Sequence, residues 1–225
     1  MTGPLFATKW DFLFASVLIG IDRTTGVFSG SEPTPGQQMV AVWTSDDIAT
    51  EALHVESWEL RQITVRELLA LVPQGVGVVV DPEHPSGMTA SAAYVANLRP
   101  LLSPFPVGAA VRIAAWDELS APVLGAVTQA LAGHDLVSEL HAFTYRIDDS
   151  PVLGCLAYVT TGSPDETTEM ARGLDAALRA SADLADLGVA TVNVLDVDDL
   201  PDEIRAALGQ RHVVHRRRRS RPWRR

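Results

Sequence analysis

Thr64-Val65-Arg66-Glu67-Leu68-Leu69-Ala70-Leu71-Val72-Pro73-Gln74-Gly75-Val76-Gly77-Val78-Val79-Val80-Asp81-Pro82 is the stretch that decides the fold. Thr64 followed three residues on by Glu67 is a capping box, a reciprocal pair of hydrogen bonds that opens a helix. Val65, Leu68, Leu69 and Val72 then recur at helical spacing and predict one buried stripe. Pro73 and Gly75 end the helix. Val76 to Val80 is a short apolar run with no alternation, the pattern of a strand buried on both faces. Asp81-Pro82 stops it. A helix feeding directly into a buried strand makes this a mixed α and β chain.

The same grammar holds on both sides. Upstream, the apolar run from Phe12 to Ile19 reads as a buried strand. Eight residues are too few to cross a bilayer, which takes about 20, and Lys9 next to Asp11 lacks the basic leader of a secretion signal. Ser29 to Gly36 is rich in turn residues. Met39 to Trp43 is a strand, and Ser45 caps a short helix with Asp46 and Asp47 in its first turn. Ile48, Ala52 and Leu53 are its expected inward positions. Val55 to Ile63 is a further strand, and Ser91 to Leu102 a helix.

Downstream, Pro104-Phe105-Pro106 marks a boundary. Val111 to Ala115 is a strand and Pro122 to Leu131 a helix. Val137 to Tyr145 and Val152 to Thr160 pair through Asp148-Asp149-Ser150-Pro151. Ser163-Pro164-Asp165-Glu166 is a second capping box with proline at the first helical position. Its helix carries Met170, Leu174, Ala177, Leu178 and Leu184 and stops at Leu187-Gly188. Val189 to Val197 is a strand, and Pro201 to Leu208 a last helix. Several strands follow one another with no helix between, so the sheets are expected to be mixed or antiparallel. The fold class is α+β, with two small units over 1–105 and 106–210.

Val40-Ala41-Val42-Trp43-Thr44-Ser45-Asp46-Asp47-Ile48-Ala49 resembles the opening of the SseB (enhanced serine sensitivity) family: a strand, an aromatic-Thr-Ser step, acidic residues and a short helix. Leu68 to Pro82, followed by Gly87, is similar to that family's helix, Pro-x-Gly turn, strand and Asn-Pro exit, with Asp81 in place of Asn. Val111 to about Val214 is similar in layout to the family's C-terminal domain. The resemblance covers roughly residues 37 to 210. It implies a two-domain regulatory or non-catalytic protein and brings no catalytic residues with it.

The chain has 225 residues, 47% of them apolar, and one cysteine, Cys155. A lone cysteine excludes an internal disulfide and a thiolate metal cluster, and fits a reducing, cytoplasmic setting. Cys155 sits mid-strand among apolar residues with no arginine beside it, the setting of a structural thiol. Lys9 is the only lysine and no phosphate loop is present, which excludes P-loop chemistry. Gly75-x-Gly77 leads into a strand and cannot place a pyrophosphate at a helix start. No Gly-x-Ser-x-Gly elbow occurs.

The most site-like segment is Asp81-Pro82-Glu83-His84-Pro85-Ser86-Gly87. Asp81, Glu83 and His84 cluster at a strand exit, where metal binding or a base-and-orienter pair could be built; the same residues are also ordinary turn chemistry. His54, His134 and His141 are scattered without zinc-site spacing. His212 and His215 fall among arginines, which disfavour a cation. Asp196, Asp198 and Asp199 suit a helix start better than a calcium loop. No cofactor or metal is expected.

The last fifteen residues hold eight of the eighteen basic side chains and no acid. The preceding 210 hold ten basic side chains against all twenty-eight acids, a formal balance of −18. Residues 211–225 are expected to form a disordered arginine-rich tail. Arg216, Arg217, Arg218, Arg219 and Arg221 are its anion-binding candidates, with Trp223 placed to stack on a base. Nucleic acid, an anionic membrane and an acidic protein are the partners such a run can take. The acidic body repels nucleic acid away from the tail. The sequence thus points to a regulatory or protein-interaction protein with an unknown partner and no catalytic role. Its alternatives are a pocket between the two units that binds a small molecule or does chemistry, and a tail-mediated binder of nucleic acid or an anionic surface. The oligomeric state is left open.

Overall fold

Thr64 and Glu67 make both capping bonds: the Glu67 N–H donates to Thr64 Oγ1 at 3.2 Å, and the Thr64 N–H donates to Glu67 Oε2 at 2.7 Å. They open helix α3 (Val65–Leu71). The computed structural model describes residues 5–32, 36–53, 56–132, 136–209 and 212–216. It divides into two compact units, Met1–Val107 and Gly108–Arg225, each α+β with its own mixed sheet.

The first unit also contains α1 (Lys9–Phe14), β1 (Ser16–Asp22), β2 (Gly30–Ser31), β3 (Met39–Trp43), α2 (Asp46–Ala52), β4 (Trp58–Thr64), β5 (Gly77–Val80), β6 (Met88–Ala90) and α4 (Ala92–Leu98). The sheet order is β4-β1-β3-β5-β6, with β2 added to β3. Only β3 and β5 run parallel, and every other pair is antiparallel. Buried-on-both-faces is what the apolar run predicted, and all four residues of β5 are buried. Ala49 of α2 joins Met39, Ala41, Trp43 and Val79 in one apolar cluster. α4 packs on β5 and α1 on α3.

Ser29 explains how six strands share this sheet. β1 pairs with β3 only at Leu18–Trp43 and Ile19–Val42. Beyond that point the chain's own return wedges between them. The Ser29 N–H donates to Gly20 O, its carbonyl accepts from the Ala41 N–H, and its hydroxyl donates to Ala41 O at 2.9 Å. A buried serine is tolerated because every polar group on it is bonded.

The second unit contains β7 (Val111–Ala115), α5 (Ala121–Ala132), β8 (Val137–Ile147), β9 (Leu153–Thr160), α6 (Pro164–Ser181), β10 (Val192–Asp196), α7 (Asp202–Ala207) and β11 (Val213–Arg216). Its order is β10-β9-β8-β11, with β7 also on β8. β8 is long enough for β7 and β11 to share one of its edges. β9 and β10 are parallel, with α6 as the crossover between them. Leu140, Ala142, Leu156 and Tyr158 pack against Val123, Val127, Met170, Leu174 and Leu178 of α5 and α6. Trp116 closes this core. Its indole N–H donates to Leu187 O at 2.9 Å, and its ring lies flat enough on Gly154 that a Cβ there would sit 2.5 Å from Cη2.

The short strands β2 and β6 were not expected from the sequence, and four further differences have a local cause. The run Phe12–Ile19 is not one strand: α1 reaches Phe14 and β1 starts at Ser16. Thr8 and Asp11 form a capping box that uses the shorter acid, which overrides the β-forming run. In α2 the buried residue is Ala49, while Ala52 is exposed. α6 ends at Ser181, short of Leu184, where the Ser181 hydroxyl donates back to Ala177 O at 2.6 Å and Ala182 turns extended. Finally, residues 213–216, assigned to the disordered tail on charge, are strand β11. The β-branched pair Val213-Val214 favours a strand, and the charge run hid it. Val55, where the fourth strand was expected to start, lies outside the described residues.

Gly154→Ala is expected to cost about 1–3 kcal/mol of stability by overpacking Trp116. Urea unfolding followed through tryptophan fluorescence measures it, and an unchanged midpoint would contradict this packing.

Candidate functional site

β3 and β5 are parallel neighbours with Val42 beside Val80, so their carboxyl ends emerge together. This is where open α/β sheets commonly present loops for function. Thr44 leaves one end and Asp81 the other. The Asp81 N–H donates to Val42 O at 2.8 Å and extends the ladder by one rung. Its carboxylate then turns onto Thr44: Oδ1 accepts from the Thr44 N–H at 2.8 Å and Oδ2 from the Thr44 hydroxyl at 2.7 Å. Asp81 is fully buried, and its φ of +48° is a conformation that Asp tolerates better than most residues.

The loop closes on itself after Asp81. Asp81 O accepts from the His84 N–H at 3.1 Å, and His84 O accepts from the Gly87 N–H at 2.8 Å. Gly87 is required there, because a Cβ would lie 2.5 Å from Asp81 O and 2.9 Å from His84 O. Glu83 sits at φ +66°. The Ser86 N–H donates to His84 Nδ1, and the Ser86 hydroxyl lies 2.6 Å from the same nitrogen.

The three loop candidates are thus divided. Asp81 faces Thr44 and is part of the fold. Glu83 and His84 are exposed and line a cavity of about 410 Å³ with Ile48, Glu51, Ala52, Pro82 and Pro85. Asp81 does not orient His84 through its side chain, since each has its own partner. The cavity carries two carboxylates and an imidazole, a set suited to a cationic or hydrogen-bond-donating group. The sequence reading missed both Thr44 and Glu51. The strand exits Val-Trp-Thr and Val-Val-Asp were the signal for the first. For Glu51 the signal was its place on the helix that follows β3.

The remaining candidates resolve individually. Cys155 is buried, and burial pushes its thiol well above the ordinary range, so the sulfur stays protonated and inert. Asp196 Oδ1 accepts from the Asp198 N–H at 2.9 Å and caps a 3₁₀ turn, Val197–Asp199. Arg205 lies 3.5 Å from Asp198 and 2.7 Å from Asp202. Among the described residues no group of three His, Cys, Asp or Glu side chains could hold a metal. His54 and His134 lie outside the described residues. Arg216 is on β11, its Nε 2.8 Å from Glu139 Oε2; Arg217, Arg218, Arg219 and Arg221 lie outside the described residues. No described helix is long and apolar enough to cross a membrane.

No protein-family model, curated protein or solved structure matches the chain.

Asp81→Ala leaves the Thr44 N–H and hydroxyl without their acceptor and should cost about 1–3 kcal/mol. Asp81→Asn keeps an acceptor and tolerates the positive φ, and should cost less than half as much. Chemical denaturation of the two variants tests the order, and equal losses would refute the clamp.

Proposed function

We propose that the chain is a non-catalytic regulatory or protein-interaction protein of SseB-like type. One observation carries the reading. Asp81, the carboxylate best placed for chemistry, is fully buried with both oxygens bonded to Thr44. A general base needs a lone pair directed at substrate, and this one is committed to holding two strand ends. The interaction side of the reading is supported by β11, which anchors the first arginine of the C-terminal run to the sheet. An arginine segment that starts from a fixed point loses less freedom on binding than one on a long linker. The partner is a protein with an acidic face, and a cytoplasmic setting suits it.

A second reading, a binder of small cationic molecules, is favoured by the cavity lined by Glu51, Glu83 and His84. Screening amines by thermal shift tests it. A stabilising amine should lose its effect in Glu51→Gln/Glu83→Gln, and no shift from any amine would remove the reading.

Affinity capture with the full chain and with the chain shortened to Arg216 tests the first proposal, because that cut leaves β11 whole. A protein recovered in near-equal molar amount by the full chain is expected. Recovery that nuclease abolishes would replace the reading with nucleic-acid binding. Substrate turnover without any stable partner would overturn it.

A further inference from the structure

β11 is a four-residue edge strand with a bulge between Val213 and His215. It pairs alongside an unusual feature of the second unit. Val213 sits in register with His141 of β8, and Arg216 with Glu139. His141 is 8% exposed, and its Nε2 lies 3.0 Å from Glu139 Oε1. The other oxygen of the same carboxylate accepts from Arg216 Nε at 2.8 Å. One carboxylate therefore joins a buried imidazole to the edge strand paired beside it.

Hydrogen placement follows from these contacts. With Nε2 facing the Glu139 carboxylate at 3.0 Å, the neutral ring keeps its proton on that nitrogen and its lone pair on Nδ1. That atom is buried with no hydrogen-bond partner among the described residues. Charging His141 would place a second N–H there, out of reach of water and of any described acceptor. His212, just before the strand, is fully buried and stands edge-on to Phe143. Its Nδ1 accepts from the Gly209 N–H at 3.0 Å, which fixes the ring at the entry to the strand.

We propose that β11 is an acid-released latch: protonation of His141 on the neighbouring strand lifts Val213–Arg216 from β8 and frees the arginine-rich segment from its anchor. The latch does not depend on which partner the arginines take. A short edge strand is the cheapest element to open, and opening lets water reach His141.

The surrounding charges agree on the direction. Burial is the main cause that holds His141 below its ordinary value of 6.5; Glu139 opposes this, and His212 and Arg216 reinforce it. His215 is in register with Leu140. On the other side, β9 places Ala157 opposite His141, with the protonated Cys155 two residues earlier, and β10 adds Leu195 to the same row. A group whose folded value is depressed contributes stability above its unfolded value and loses it as pH falls through the folded one. The latch is therefore closed above about pH 6.5 and opens below it. Glu139 is held low, first by the Arg216 hydrogen bond, so it stays charged through this window.

Amide hydrogen exchange on the full chain tests the proposal, with rates corrected for the intrinsic pH dependence of exchange. Protection over residues 212–216 should fall about tenfold between pH 7.5 and 5.5, the limit for one proton taken up per opening. Protection over β9 should hold. His141→Gln should flatten the dependence. Arg216→Gln, an exposed change, should lower protection of the strand at pH 7.5 and retain the acid slope. A flat profile in the native chain, a slope that survives His141→Gln, a parallel loss in β9, or full protection at pH 7.5 in Arg216→Gln would each overturn the latch.

Discussion

The carboxylate of Asp81 bonded to Thr44 is the constraint on which the first unit turns. Two parallel strands can share a ladder and still splay at their ends, where hydrogen bonds run out. Here the last rung is a side chain. Asp81 takes both the N–H and the hydroxyl of Thr44, so the exits of β3 and β5 are held at a fixed spacing. The start of α2 and the turn back to β6 follow from that spacing. Charge-assisted hydrogen bonds are about twice as strong as neutral ones, which gives this pair its weight in the unit.

Position in the fold does not settle a residue's role. Asp81 stands where catalytic carboxylates of mixed sheets often stand, and it is occupied by the backbone. Glu83 and His84, two and three residues later, remain turned toward a cavity. Strained φ values at Asp81 and Glu83 come from closing a tight loop through Gly87, and the bonds that close it are all accounted for. The two units solve the same problem differently. The first fills a divided sheet with a bonded serine at 29, and the second seats an indole on a glycine at 154.

Much of this was legible in the residues. Of the two capping boxes read from spacing, Thr64/Glu67 makes both reciprocal bonds, and at Ser163/Glu166 the Glu166 carboxylate accepts from the Ser163 N–H and hydroxyl. The apolar run before Asp81 is a fully buried strand, and the polar link at 148–151 joins an antiparallel pair. What escaped was local competition. The Thr8/Asp11 box turned the front of an apolar run into a helix, and no propensity sum over that run would reveal it. The pairing of Asp81 with Thr44 spans 37 residues and has no local signature. Glu139, His141 and Arg216 meet only through strand register, and the charge of the last residues masked the strand that brings them together.

The single thiol of this chain has a further consequence. Cys155 sits at the centre of the second sheet, opposite Phe143, with no accessible surface. Ordinary oxidants and alkylating reagents therefore pass it by while the sheet is intact. Each molecule that acquires an adduct has, at some moment, had that sheet parted, so the labelled fraction keeps a cumulative history of rare openings in an unmodified protein.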